Sequence, residues 1–311
     1  MKKFIKSIPM ATCGLSLALA ALGNLLLPLP HGQTIRYICG ALSFAVLIIF
    51  ALKVFFDSPH AKEELKTPVP LSVLPTATMS IMLLSVYIRP YAGSFATGIW
   101  YAALALHICI MLVFIKRFVF GFKLGTVFPS WFIAGVGIVA ASVTAPAMGA
   151  VFIGQIAFWT GFVLYFAILP LVVLQMNKVR VFPEPARKTI AIFTAPMSLL
   201  VVGYFSSFVS QGHVNETLVY IMLAIAAISY IYVSCMMFSL LKIKFYPTYS
   251  GFTFPFVISA AAFRLGANFL AERHGLDFLI TIADITMWIA VAVVIFVIQH
   301  YIRYFRFWLK Y

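Results

Sequence analysis

Residues able to do acid–base or metal chemistry are few in this chain. Of eight carboxylates, Asp57, Glu63, Glu64, Glu184, Glu216, Glu272 and Asp277 fall in or beside expected loops, and only Asp284 lies well inside an apolar run. The six histidines (His31, His60, His107, His213, His274, His300) are scattered, with His107 alone deep in an apolar segment. Cys13, Cys39, Cys109 and Cys235 form no CxxC pair and no metal spacing, so they read as small buried apolar residues. General acid–base work needs a pair of groups with opposed tasks, and a metal needs clustered ligands. Neither appears, nor does a nucleotide loop or an activated nucleophile. The sequence therefore implies no enzyme, no cofactor and no metal site.

What remains is a stretch whose backbone is unusual. Tyr249 to Ala262 is apolar, yet carries Gly251, Thr253, Pro255 and Ser259. A proline inside a helix removes one hydrogen bond and bends the axis. In a bilayer, freed backbone groups are tolerated only against protein or a water-filled cavity. This places Phe254 beside a bend that faces an interior; the plainer reading of the stretch alone is an ordinary kinked helix with a core phenylalanine. Two charges, Arg264 and Asp284, also fall inside apolar runs. An unpaired charge there is expensive, and both sit about ten residues from a turn near 274–275. An antiparallel hairpin brings them level, so a structural ion pair is expected.

These residues must be positioned by membrane helices. The chain of 311 residues is 63% hydrophobic and 10% charged, too few charges for a soluble domain of that size. A spanning helix needs about 20 apolar residues. Ten such segments can be marked, roughly 7–28, 35–56, 70–88, 95–116, 129–148, 150–175, 188–209, 215–240, 248–271 and 277–301. Long apolar runs rather than short alternating strands exclude a membrane barrel. Little chain is left over, so residues 1–311 read as one transmembrane domain. All Lys and Arg except Arg36, Arg89, Arg264 and Arg273 fall on one side of this plan, among them Arg180, Lys244 and Lys310. By the positive-inside rule both termini are cytoplasmic, in a multi-pass protein of the cell's inner membrane. The same bias accounts for most of the net charge of +14, so no nucleic-acid partner is implied.

The odd segments share a mark. Pro9, Pro75, Pro196 and Pro255 recur at multiples of about 60 residues, and Gly135-Val-Gly137 stands where a fifth proline would fall. The chain reads as five repeated hairpins, each with a kinked first helix and a plain second one. Because each unit crosses twice, the repeats are parallel rather than inverted. Five such hairpins around one axis give an all-α, quasi-fivefold ring with the kinked odd helices inside, lining a central pore. The turns into odd segments are stiffened by Pro68, Pro70, Pro129, Pro183, Pro185 and Pro247. The expected pore lining is neutral: Pro9, Thr12, Pro75, Thr78, Gly135, Gly137, Pro196, Ser198, Thr253, Pro255 and Ser259. Hydroxyls donate to an anion without holding it tightly, and conduction needs such weak binding.

At these residues the chain resembles the tellurite-resistance/dicarboxylate transporter family, which includes TehA-like proteins and the plant guard-cell slow anion channels. Pro9 to Leu22, Pro129-Ser-Trp with Gly135-Val-Gly, Leu169-Pro-Leu-Val-Val-Leu-Gln175, Arg187 to Pro196 and Thr253-Phe-Pro255 carry the resemblance. The order of these pieces along nearly the whole chain makes the case, no single one being very specific. The resemblance implies a homotrimer in the lipid bilayer, each protomer with its own pore. It also implies a channel for small anions, occluded by a phenylalanine that aligns with Phe254. The alternative is an ion-coupled carrier or exporter of a monocarboxylate, dicarboxylate or oxyanion such as tellurite.

Overall fold

The computed structural model of the chain describes residues 2–178, 187–242 and 246–309. Arg180, Pro183, Glu184, Pro185, Lys244 and Lys310 lie outside the described residues. All regular structure among those described is helical: α1 (Lys2–Ser7), α2 (Thr12–Leu25), α3 (Gly32–Phe56), α4 (Ser58–Glu64), α5 (Pro68–Val73), α6 (Pro75–Phe114), α7 (Trp131–Val136), α8 (Val139–Thr144), α9 (Val151–Lys178), α10 (Ala195–Ser207), α11 (Glu216–Leu241), α12 (Ser250–His274) and α13 (Phe278–Leu309). A 3₁₀ stretch, Lys188–Thr194, leads into α10. Among the described residues, seven helical stretches are long and apolar enough to cross a membrane.

The longest helix is two antiparallel arms. Gly93 interrupts α6 with φ 48° and ψ −124°, a conformation closed to residues with a side chain. Thr78 and His107 are hydrogen-bonded at 2.8 Å. In a straight helix, 29 residues at about 1.5 Å each would hold them some 43 Å apart. The arms 75–92 and 94–114 therefore fold back on one another. Other hairpins are closed the same way. Ser16 and Ser43 each donate to the other's carbonyl, joining α2 to α3. Tyr204 accepts from the Asn215 amide between α10 and α11. Arg264 bonds Asp284 between α12 and α13.

Every residue with positive φ among those described sits at the tip of such a hairpin: His31, Gly93, Gly149, Gly212 and Gly275. Left-handed backbone ends a helix and turns the chain, and glycine enters it without steric cost. The hairpins then pack side by side through their first helices. Thr76 Oγ1 donates to Cys13 Sγ at 3.0 Å, and Ser72 to Ser130 at 2.7 Å. Ser207 donates to the Ser142 carbonyl at 2.7 Å, and Ser198 and Ser259 share a bond at 3.0 Å. Finally, α12 packs on α2, where Gly14 comes so near Ser250 that a Cβ would stand 3.2 Å from its Oγ. Burial follows this order. In their most apolar windows, 78% of the stretch ending in α10 and 61% of α12 are buried, against 28–33% for α3, α9, α11 and α13.

The prolines act differently from the expected kinks. Pro75 and Pro196 stand in the first turns of α6 and α10, where a missing N–H costs nothing. Pro9 lies in the turn between α1 and α2. Of these four prolines Pro255 alone is inside a helix, and α12 stays helical through it. In the fifth segment the helix breaks at Gly137–Ile138, between α7 and α8.

Candidate functional site

A cavity lies where these first helices meet. Its wall takes Ala11, Gly14 and Leu17 from the first hairpin, Val73, Thr76 and Met79 from the second, and Phe132, Ile133, Val136 and Gly137 from the third. The fourth gives Thr189, Ile192, Ala195, Pro196 and Leu199, and the fifth Thr248, Ser250, Gly251, Phe254 and Pro255. Among the described residues no charged side chain borders it, and the polar side chains on its wall are the hydroxyls of Thr76, Thr189, Thr248 and Ser250. The space left for water is ≈ 50 Å³. A single water occupies about 10–15 Å³ on this measure, so the cavity holds a few waters and no continuous column.

Phe254 and Pro255 reach this wall because α12 starts just before them. Pro255 has no N–H to give the carbonyl four residues back, that of Gly251, which also borders the cavity. Phe254 itself is 8% exposed. A second aromatic, Phe132, is held by stacking on Tyr165 and by an edge contact with Phe193, at ring distances of 5.5 and 5.9 Å.

Of the expected lining residues, Gly137, Pro196 and Pro255 border the cavity, and Phe254 with them. Thr78, Ser198, Thr253 and Ser259 turn elsewhere, because a hydroxyl in an apolar interior must find an acceptor. Thr78 bonds Pro75 and His107, Ser198 bonds Thr194 and Ser259, and Thr253 bonds Ser250. Gly135 lies against α9, where a Cβ would meet Ile168 at 2.6 Å. Pro9, Thr12 and Pro75 are also off this wall, displaced by Ala11, Gly14 and Thr76. The hydroxyls expected in the pore thus serve mainly as links between neighbouring helices.

Arg264 and Asp284 are brought together as an ion pair, away from the cavity. Their side chains are 28% and 42% exposed, so the pair lies on the perimeter of the protomer. Two features were missed from sequence. The wall hydroxyls Thr189, Thr248 and Ser250 lie in the stretches that lead into Pro196 and Pro255. Lys188, counted as a surface charge, is fully buried beside Thr189, its ammonium 3.1 Å from the Tyr249 ring centre. An ammonium on an aromatic face is a stabilising contact.

No group of three or more His, Cys, Asp or Glu among the described residues could hold a metal. The site is a neutral, mostly apolar cavity where the first helices of the hairpins meet. A family model described as SLAC1, voltage-dependent anion channel, matches residues 5–302. No curated protein matches the chain. With nearly its whole length matched, the chain belongs to the SLAC1 voltage-dependent anion channel family.

Proposed function

We propose that the protein is an inner-membrane channel for small anions, with a neutral pore along the axis of the central cavity and Phe254 as its closing plug. The observation that carries this reading is the cavity wall. Ala11, Val73, Ile133, Ile192 and Gly251 border it at successive separations of 62, 60, 59 and 59 residues. The hairpin tips His31, Gly93, Gly149, Gly212 and Gly275 follow at 62, 56, 63 and 63. Two independent markers with one period support five repeated hairpins, hence ten spans, in a quasi-fivefold ring. Contacts between successive first helices, with α12 against α2, support the same closure.

No carboxylate ring borders the axis, so nothing there selects for cations. Freed of such charge, a cavity walled in part by the hydroxyls of Thr189, Thr248 and Ser250 offers an anion polar contacts and no deep well, the Thr76 proton being held by Cys13 and Val73. An aromatic side chain in a constriction that holds a few waters blocks passage by volume and by dewetting. Family resemblance adds a homotrimer, and the exposed faces of α9 and α11, with Trp159, Ile228 and Ile231, suit lipid or a neighbouring protomer. The charge bias places both termini in the cytoplasm. The test is chloride efflux from liposomes holding purified wild type or Phe254→Ala. The variant should release chloride many times faster with its fold intact. Equal rates from a well-folded variant would remove Phe254 from the plug.

A further inference from the structure

Behind the cavity wall stands a histidine that passage through the axis does not require. His107, on the returning arm of α6, is fully buried. Its Nδ1 lies 2.8 Å from Thr78 Oγ1, and Thr78 Oγ1 donates to the Pro75 carbonyl at 2.7 Å. A hydroxyl has one proton to give. With that proton on Pro75, Thr78 can only accept from the ring, so neutral His107 carries its hydrogen on Nδ1. The other nitrogen, Nε2, is then a bare lone pair. It is buried and has no hydrogen-bond partner, a costly state for an acceptor.

The ring edge adjoins the part of the wall that has no side chain. His107 Cε1 is 3.2 Å from where a Cβ on residue 137 would stand, and Met79 Sδ is 3.0 Å from the same point. Gly137 and Met79 both border the cavity. Among elements packed on α6, residues 131–148 and α5 contain no titratable side chain. From α2 only Cys13 could face the ring, and it is bonded to Thr76 and to the Met10 carbonyl. On α3, Lys53 pairs with Glu64, Arg36 covers Tyr87, and Cys39 packs near Gly23. On the outgoing arm of α6, Tyr87 bonds Ala20, and Arg89 lies eleven residues, about 16 Å, beyond Thr78. Lys116 and Arg117, just past α6, lie nine and ten residues, about 14 and 15 Å, beyond His107, with Arg117 bonded to the Leu65 carbonyl; among the described residues the ring has no carboxylate partner.

We propose that His107 is a proton site coupled to the pore: protonation at Nε2 turns the wall behind Gly137 from a lone-pair acceptor into a cationic N–H donor, which draws small inorganic anions into the cavity. The idea rests on the conduction reading above, with the proton as its regulator. Acidification then raises anion flux, because the protonated ring supplies the positive potential that the neutral lining lacks.

The test is chloride flux in liposomes from about pH 3.5 to 8, a range carried below that of an ordinary imidazole because the ring is buried. It is run in the Phe254→Ala background, so that the plug does not mask the effect. Flux should rise several-fold on acidification, and His107→Gln in the same background should flatten the profile. A flat profile with His107 present, or a pH dependence unchanged in His107→Gln, overturns the proposal while leaving conduction intact. Absence of anion flux at every pH would instead overturn the conduction reading. Nitrogen-15 spectra of histidine-labelled wild type give a readout that needs no variant. A neutral ring with its hydrogen on Nδ1 is expected, and one protonated on Nε2 would contradict the assignment.

Discussion

Replacing Asp284 by Asn tests where the Arg264–Asp284 pair sits in the bilayer. Arg264 is ten residues from His274, the end of α12. At about 1.5 Å per residue that is some 15 Å from the turn, half of a hydrocarbon core about 30 Å thick. The side chains are 28% and 42% exposed on the perimeter. A pair so exposed in water would contribute about 0–1 kcal/mol. At mid-bilayer no water screens it, and a lone arginine there costs about 2.5–3.5 kcal/mol on insertion scales. Asp284→Asn strands that arginine. We therefore expect a loss of about 3 kcal/mol, read as a clear drop in melting temperature of the purified protein in a lipid-like detergent. Because the pair is away from the cavity, anion selectivity should not change. Exchanging the charges, Arg264→Asp with Asp284→Arg, should recover much of the stability, since partners in contact couple strongly. An unchanged melting temperature would refute the mid-bilayer placement. Altered selectivity at unchanged stability would show that Arg264 acts on the permeating ion.

Three further substitutions probe the framework. Ser198→Ala and Ser259→Ala should each cost about 1 kcal/mol, the usual worth of one hydrogen bond, and leave chloride flux unchanged. Reduced flux would return these hydroxyls to the pore. Gly93→Ala forces a side chain into the turn at φ 48°, costing about 1–3 kcal/mol, visible as poor yield of folded protein. Gly137→Ala drives a methyl into the Ile133 carbonyl oxygen, with Met79 Sδ and His107 Cε1 next nearest at 3.0 and 3.2 Å, and should lower both thermal stability and the acid-stimulated flux.

Much of this framework could be read from the residues. Apolar runs locate the helices, because a spanning helix leaves few polar positions. The run at 277–301 corresponds to α13, Phe278–Leu309, and the run at 248–271 to α12. The proline spacing gives the register of the cavity wall only in part: Pro196, Pro255 and Gly137 border it, while Pro9 and Pro75 stand off it by one or two residues. The phase of each helix was not legible. A wall position such as Thr76 and an interhelical one such as Thr78 have the same composition. They differ only in which neighbour the backbone presents, and Thr78 turns to His107 across a hairpin that Gly93 creates. Glycines at 93, 149, 212 and 275 carry the repeat as clearly as the prolines do. Their role depends on a positive φ that a sequence does not display. Lys188 misled for another reason: a lysine beside a loop reads as solvated, and only the packing of Tyr249 over its ammonium shows otherwise.

Passive anion conduction through an axis closed by Phe254 is tested most directly in a planar bilayer. Purified wild type and Phe254→Ala are compared under a chloride gradient, with pH and sodium then varied on one side. The account predicts little current from wild type, a large current from Phe254→Ala, and a reversal potential that follows the chloride gradient alone. A reversal potential that shifts with the pH or sodium gradient would indicate a coupled carrier. No added current from a folded Phe254→Ala would contradict the plug.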